Sequence, residues 1–187
     1  MIIHRPFTMQ DLPTLAHWVS SARDVLQWAG PLLHYPLNPQ QWQRIAEAGE
    51  GDMPARLAWM AERDETPFGH AQLVLDRVQG NAALVYVLIA PSARGQGLTG
   101  PMLAPLIDMA FGIPDIMRLE LNVYAHNRPA IRAYEKLGFV HEGCRRSSAK
   151  CGEERWDTCF MSILRHEHAG ACRSENAALP PLGDPVA

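Results

Sequence analysis

The sequence predicts a mixed α/β fold: one mostly antiparallel sheet with helices packed on it. Three observations predict it. Period-two runs recur at 55–63, 68–77 and 118–125; apolar residues at helical spacing recur before and between them; and a strongly apolar run at 82–90 leads through a glycine-rich turn into a helix. The 187 residues, 47% hydrophobic and 20% charged, suffice for a single domain, set at residues 1–166.

A net charge of -3 argues against a basic face of the kind that holds nucleic acid and leaves open a local basic patch. No run reaches the ~20 apolar residues of a membrane helix, and no apolar stretch follows a charged leader, so neither nucleic acid nor membrane is an expected partner. Cys144, Cys151, Cys159 and Cys172 lack CxxC spacing and read as reduced thiols of a cytoplasmic chain.

Residues 2–5 read as a first strand. TMQDLPTLAHWVSSA follows as a helix with Thr8 as N-cap, Asp11 in its first turn, and Leu12, Leu15, Ala16 and Val19 as the buried stripe. WAGPLLHYPLNP breaks regularity and reads as a cleft-lining loop before a second helix, PQQWQRIAEAG, closed by Gly49. The runs at 55–63 and 68–77 form an antiparallel pair, with Ala71, Leu73 and Leu75 alternating with His70, Gln72 and Val74. AALVYVLIA, apolar on both faces, is a central strand.

Beyond the glycine turn, Met102, Leu103, Leu106, Ile107 and Ala110 mark a helix; Pro101 suits its first turn, whereas Pro105 should kink it or delay its start. RLELNVYA alternates as a strand with Leu119, Leu121 and Val123 on one face. NRPAIRAYEKLGF is a helix with Asn127 as N-cap, Pro129 in the first turn and Gly138 past its end. Two strands joined by a polar turn at 150–152 close the sheet. The tail, 167–187, loses periodicity and is expected to be disordered.

RGQGLTG, residues 94–100, joins the central strand to its helix. Such a turn places free N–H groups at the positive end of a helix dipole, a seat for phosphate, although the same spacing also makes a plain turn. GxxxxGK[ST] and GxGxxG are both absent, which disfavours a nucleoside triphosphate or a dinucleotide.

VLIAPSARGQGLTG, followed after one helix and one strand by LNVYAHNRPAIRAYEKLGF, resembles the two cofactor-binding segments of the GNAT superfamily of acetyl-CoA-dependent N-acetyltransferases. The closing hairpin is similar to that of the branch with ribosomal-protein-alanine and spermidine acetyltransferases. The resemblance implies a mostly antiparallel sheet with a splayed central parallel pair, and acetyl-CoA as cosubstrate. It implies acetyl transfer to a primary amine of a small molecule or a polypeptide N-terminus, by direct attack in a ternary complex. A monomer or homodimer is the expected assembly.

In that frame Val87, Leu88 and Ile89 pair with the pantetheine arm, and an N–H near Ile89 polarises the thioester carbonyl. Arg94 opens the family's turn pattern and is a cofactor-binding residue, and the backbone donors of Gly95, Gln96, Gly97, Leu98, Thr99 and Gly100 hold the pyrophosphate; Thr99 departs from the family's glycine or alanine. Asn127 and Tyr134 match the family's cofactor contact and proton donor. Simpler roles stand beside these: Asn127 is a good N-cap without a ligand, and Tyr134 falls on the apolar stripe with Ala130, Ile131 and Leu137, facing Phe139.

Some relatives carry a glutamate five residues before the asparagine; here that position is Asn122. Glu120, two residues earlier, is a substitute base and equally a surface or ion-paired carboxylate; Tyr86, Tyr124 and ordered water are further substitutes. Trp28 and Tyr35, with Tyr86 and Tyr124, are candidates for the acceptor wall, since π faces suit a cationic amine, although Trp28 also reads as a packing residue. His166, His168 and Cys172 do not form a closed four-ligand metal set. A non-catalytic acetyl-CoA-binding module is the alternative reading, and a different acyl-CoA donor a further one.

Overall fold

The computed structural model describes residues 1–46 and 54–171. In chain order it contains β1 (Ile2–Pro6), α1 (Leu12–Trp18), α2 (Ala22–Ala29), α3 (Pro39–Ala46), β2 (Arg56–Arg63), β3 (Thr66–Asp76), β4 (Asn81–Ile89), α4 (Thr99–Gly112), β5 (Arg118–Tyr124), α5 (Arg128–Lys136), β6 (Val140–Cys151), β7 (Glu154–Leu164) and α6 (Arg165–Ala171). The strands form one 7-stranded sheet in the order β1-β2-β3-β4-β5-β7-β6. All neighbours are antiparallel except β4 and β5.

That parallel pair is short. Asn81, Ala82 and Ala83 pair with Arg118, Leu119 and Glu120, and beyond them the two strands run on to Ile89 and Tyr124 without pairing with each other. The reason lies on the other side of β4. His70 of β3 pairs with Leu88 and Gln72 with Val85, so one residue of β3 faces two of β4. Tyr86 sits in this bulge at φ 52. A bulge bends its strand and sharpens its twist, and here it carries the second half of β4 away from β5. Val85, Val87 and Ile89 are consequently only partly buried, while Leu84, Tyr86 and Leu88 are in the core.

The first expected helix, 8–22, is shorter in the structure, and a helix that was not expected, α2, follows it and takes in Trp28 and Ala29 of the expected loop. Thr8 and Asp11 form a capping box on a 3-10 turn, Met9–Asp11, and Asp11 also holds Arg5 at 2.7 Å. α1 ends at Trp18; Ser21 then caps α2, its hydroxyl accepting the Asp24 N–H at 3.1 Å. α4 runs through Pro105. A proline leaves the carbonyl four residues back without its helical donor; one residue on, His4 Nε2–H donates to the Met102 carbonyl at 2.8 Å, so β1 supplies a bond in the turn that Pro105 loosens.

The tail begins differently from the expectation. Glu167 and His168 continue α6, with the His168 ring stacked on Phe111 at 4.9 Å and its Nε2 3.0 Å from Asp108. The helix continues because Phe111 and Asp108 of α4 give it a surface to dock on. Gly49 and residues 172–187 lie outside the described residues.

β3 is covered on both faces, with Ala71 and Leu73 buried on one and His70 and Gln72, 0% and 1% exposed, on the other. Phe7, Trp42 and Trp28 surround the His70 ring, and Gln72 Nε2–H donates to its Nε2 at 3.2 Å. Burial pushes its pKa from the ordinary 6.5 down to about 3. As pH falls below the ordinary value the unfolded chain binds this proton and the folded one does not. Stability present above pH ~6.5 is therefore lost toward pH ~3, with a slope of up to about 1.4 kcal/mol per unit. In urea melts at several pH values across that window, His70→Phe is expected to flatten the slope; equal slopes in both proteins would rule this titration out.

Candidate active site

The gap between β4 and β5 opens a cleft of about 430 Å³. Val87, Leu88 and Ile89 of β4 form one wall. The Ala90 N–H donates to the Phe68 carbonyl of β3 at 2.8 Å. Backbone groups of successive strand residues point to opposite sides, so the Ile89 N–H and carbonyl point into the gap, where no strand lies opposite. The Ile89 carbonyl accepts from Arg94 Nε at 3.2 Å. Its N–H meets no acceptor among the described residues, and the free edge is suited to an extended chain lying along it as an added strand.

The glycine loop closes one end. Among the described residues no acceptor meets the N–H groups from Gly95 to Gly100; the first bond into α4 runs from the Met102 N–H to the Leu98 carbonyl at 3.0 Å. Gly95 and Gly97 have φ of 74 and 72, and a β-carbon at either would meet nothing within 4 Å. Left-handed backbone, rather than crowding, is what calls for glycine there. Thr99 is the first residue of α4 and lies past both left-handed positions, so it does not narrow the loop. Gln96 turns its side chain away, donating to the Ser92 carbonyl at 2.9 Å and accepting from Arg63 at 3.0 Å. Gly100 contributes its free N–H at the start of α4 without lining the cleft wall.

The third wall is the start of α5. Asn127 caps that helix, its Oδ1 accepting the Ala130 N–H at 3.4 Å, and also lines the cleft. Tyr134 lines the cleft too, although only 7% of it is exposed and its ring meets Phe139 edge-on at 5.9 Å. Packing and access to the cleft therefore coexist at Tyr134. Burial holds its phenol well above the ordinary tyrosine range, so it stays protonated at neutral pH.

Several candidates lie elsewhere. Glu120 is not a cleft residue: its carboxylate pairs with Arg118 Nε at 2.9 Å, while the other two guanidinium nitrogens hold Glu142. Pairing with Arg118, two residues back on the same strand and itself tied to Glu142 of β6, holds it at the sheet's far end, beside the paired part of β4 and β5. Tyr35 is 47% exposed in its loop and off the cleft wall. Tyr86 is buried in the bulge behind Trp28, 5.9 Å between ring centroids, with the Arg56 guanidinium 5.6 Å over its face. Tyr124 packs edge-on against Trp156 at 4.9 Å, and burial raises its phenol. Of the acceptor-wall candidates, Trp28 is the one on the cleft wall.

The roof is α2, which contributes Asp24 and Gln27 beside Trp28. These two were missed by the sequence reasoning. The signal is Ser21-x-x-Asp24, an N-terminal capping pattern, which falls across the end of the first expected helix and short of the loop expected from Trp28.

The family described as acetyltransferase (GNAT) domain matches residues 2–140. The chain belongs to the GNAT acetyltransferase family. It is similar to aminoglycoside N(6')-acetyltransferase type 1 of Klebsiella pneumoniae, 24% identical over 156 residues covering 74% of each chain. Spermidine N(1)-acetyltransferase of Vibrio cholerae is 33% identical over 57 residues, 30% of this chain and 33% of that one. The fold is shared with the crystal structure of spermidine N-acetyltransferase from Vibrio cholerae in complex with CoA and spermine: TM-score 0.75, 20% identity, 90% of this chain and 98% of that one covered.

The protein is an acetyl-CoA-dependent N-acetyltransferase. This GNAT chain has an edge of β4 that does not pair with β5 at Val87–Ile89 and, among the described residues, backbone donors without an acceptor from Gly95 to Gly100. Among the described residues no helix is long and apolar enough to cross a membrane, and no group of three or more His, Cys, Asp or Glu is placed to hold a metal ion.

Proposed function

We propose that this GNAT enzyme acetylates a primary amine of a small molecule or of a polypeptide N-terminus, by direct attack within a ternary complex. The observation that carries the reading is the unpaired edge of β4, whose Ile89 N–H opens into the same cleft as the Tyr134 phenol. A thioester laid along Val87–Ile89 offers its carbonyl oxygen to that N–H, which stabilises the charge that grows on oxygen during attack. Tyr134 then gives a proton to the departing thiolate. The diphosphate takes the free N–H groups of Gly95–Gly100 at the positive end of α4, with Arg94 beside it. Asn127 keeps its amide NH₂ for the pantetheine arm while its oxygen caps α5. Trp28 lines the acceptor side, backed by Tyr86.

A small-molecule amine draws support from the aminoglycoside and spermidine acetyltransferases among the relatives. Free thiols at Cys144, Cys151 and Cys159 support a reducing, cytoplasmic setting. The test is CoA thiol release from acetyl-CoA across aminoglycosides, polyamines and short peptides with alanine or serine at the amino end. Release that depends on the amine is expected for at least one class. Cofactor binding with no amine-dependent release from any of them would favour the non-catalytic module.

A further inference from the structure

Amine acylation needs a neutral nitrogen, and the cleft offers no carboxylate free to make one. Asp24 is the one carboxylate on its wall among the described residues. Its Oδ2 accepts from Ser20 N, Ser20 Oγ and Ser21 Oγ at 3.1, 2.9 and 2.8 Å. Burial opposes its charge, but these bonds and the Arg94 charge outweigh that and hold its pKa below the usual carboxylate range, which makes it a weak proton acceptor. Arg118 holds Glu120 and Glu142, and Arg23 holds Glu154. The Asn122 amide oxygen accepts from Arg145 at 2.7 Å and takes no proton.

His126 stands apart from these. It occupies the turn between β5 and α5, directly before the wall residue Asn127. Its Nε2 lies 3.1 Å from Oε1 of Gln27, a wall residue of the facing helix α2. An amide oxygen only accepts, so Nε2 carries the proton and Nδ1 keeps its lone pair, with no partner among the described residues. Tyr124 lies parallel to the ring at 5.9 Å and Trp156 meets it edge-on at 4.6 Å. The imidazole is thus held in one orientation and one tautomer, while the residue stays exposed and can pass a proton to water.

We infer that His126 is the general base of the acetyl transfer, positioned by Gln27 and acting on the acceptor's ammonium group directly or through one water. This rests on the reaction proposed above. Nδ1 takes one proton from R–NH₃⁺. The free amine attacks the thioester carbon, the C–N bond forms, and the carbonyl electron pair moves onto the oxygen facing the Ile89 N–H. Collapse breaks the C–S bond; the thiolate takes the Tyr134 proton, Tyr134 is reprotonated by the second proton of the attacking nitrogen, and His126 releases its proton to water. The groups facing His126 are Arg23 and Gln27 of α2, Tyr124 of β5, and Glu154 and Trp156 of β7. Burial and the Arg23 charge lower its pKa against the opposing pull of Glu154, so the ring is neutral at pH 7 and free to accept.

His126→Gln keeps a donor for Gln27 and loses the proton acceptor. On an amine that the wild type acetylates, kcat/KM at pH 7 is expected to fall about 100-fold or more. The deficit should close as pH approaches about 10, where the amine is neutral unaided. CoA affinity by calorimetry and the thermal midpoint should match the wild type, and added imidazole should restore rate to His126→Ala. A deficit of equal size at pH 7 and pH 10, or none, overturns the assignment. A wild type that binds CoA and acetylates no amine overturns the underlying reaction instead.

Discussion

Tyr134→Phe is expected to lower kcat by about 10²- to 10⁴-fold, the range of a single acid–base group, with the Kd for CoA unchanged by calorimetry. The substitution removes one oxygen and leaves the ring against Phe139 and Ile131, so the core around this 7%-exposed residue keeps its packing. Without the phenol the thiolate leaves unprotonated, at a cost that falls on the transition state and not on cofactor binding. Because burial raises the phenol well above its ordinary range, Tyr134 contributes no alkaline limb near neutral pH. A variant with the wild-type rate would leave Tyr134 as a core residue alone.

Ile89→Pro tests the other half of the chemistry by deleting a single N–H. The Ala90 N–H belongs to the β3–β4 ladder, so the neighbouring Ile89 N–H belongs to none. Proline is tolerated in a strand where its missing N–H faces away from the ladder. The expected outcome is a folded protein with CoA affinity within a few-fold of wild type and kcat down about 10²- to 10³-fold, the usual cost of one lost oxyanion donor. Leu88→Pro is the control: its N–H faces His70 across the ladder, so it should lose thermal stability first. Equal rates for Ile89→Pro and wild type would mean that the carbonyl is polarised elsewhere.

The glycine loop and the start of α5 were legible because their chemistry is local. Gly95 and Gly97 announce left-handed backbone, and Asn127, Pro129 and Gly138 announce the two ends of one helix within a dozen residues. Tyr134 was legible only through the longer string around it. Glu120 was read both as a substitute base and as a surface or ion-paired carboxylate; the structure has the ion pair with Arg118, whose second partner, Glu142, arrives from β6 and is not legible near it in sequence. α2 was overlooked although Ser21 and Asp24 mark its start, and with it went Asp24 and Gln27, two of the groups that roof the cleft. His126 carries no motif of its own; its role depends on a residue 99 positions away.

By itself, the sequence determined the strands, most of the helices and the kind of backbone in the phosphate-binding loop, since these follow from periodicity, capping and φ preferences over a few residues. Only the tertiary structure decided where the sheet opens. That depends on Tyr86 bulging against β3 while β5 keeps an unbroken register with β7, on Arg118 of β5 and Arg23 of α2 claiming Glu142 of β6 and Glu154 of β7, and on α2 being laid over the gap. Each of these is a balance between chain segments far apart in sequence, settled by which groups find partners when the sheet closes.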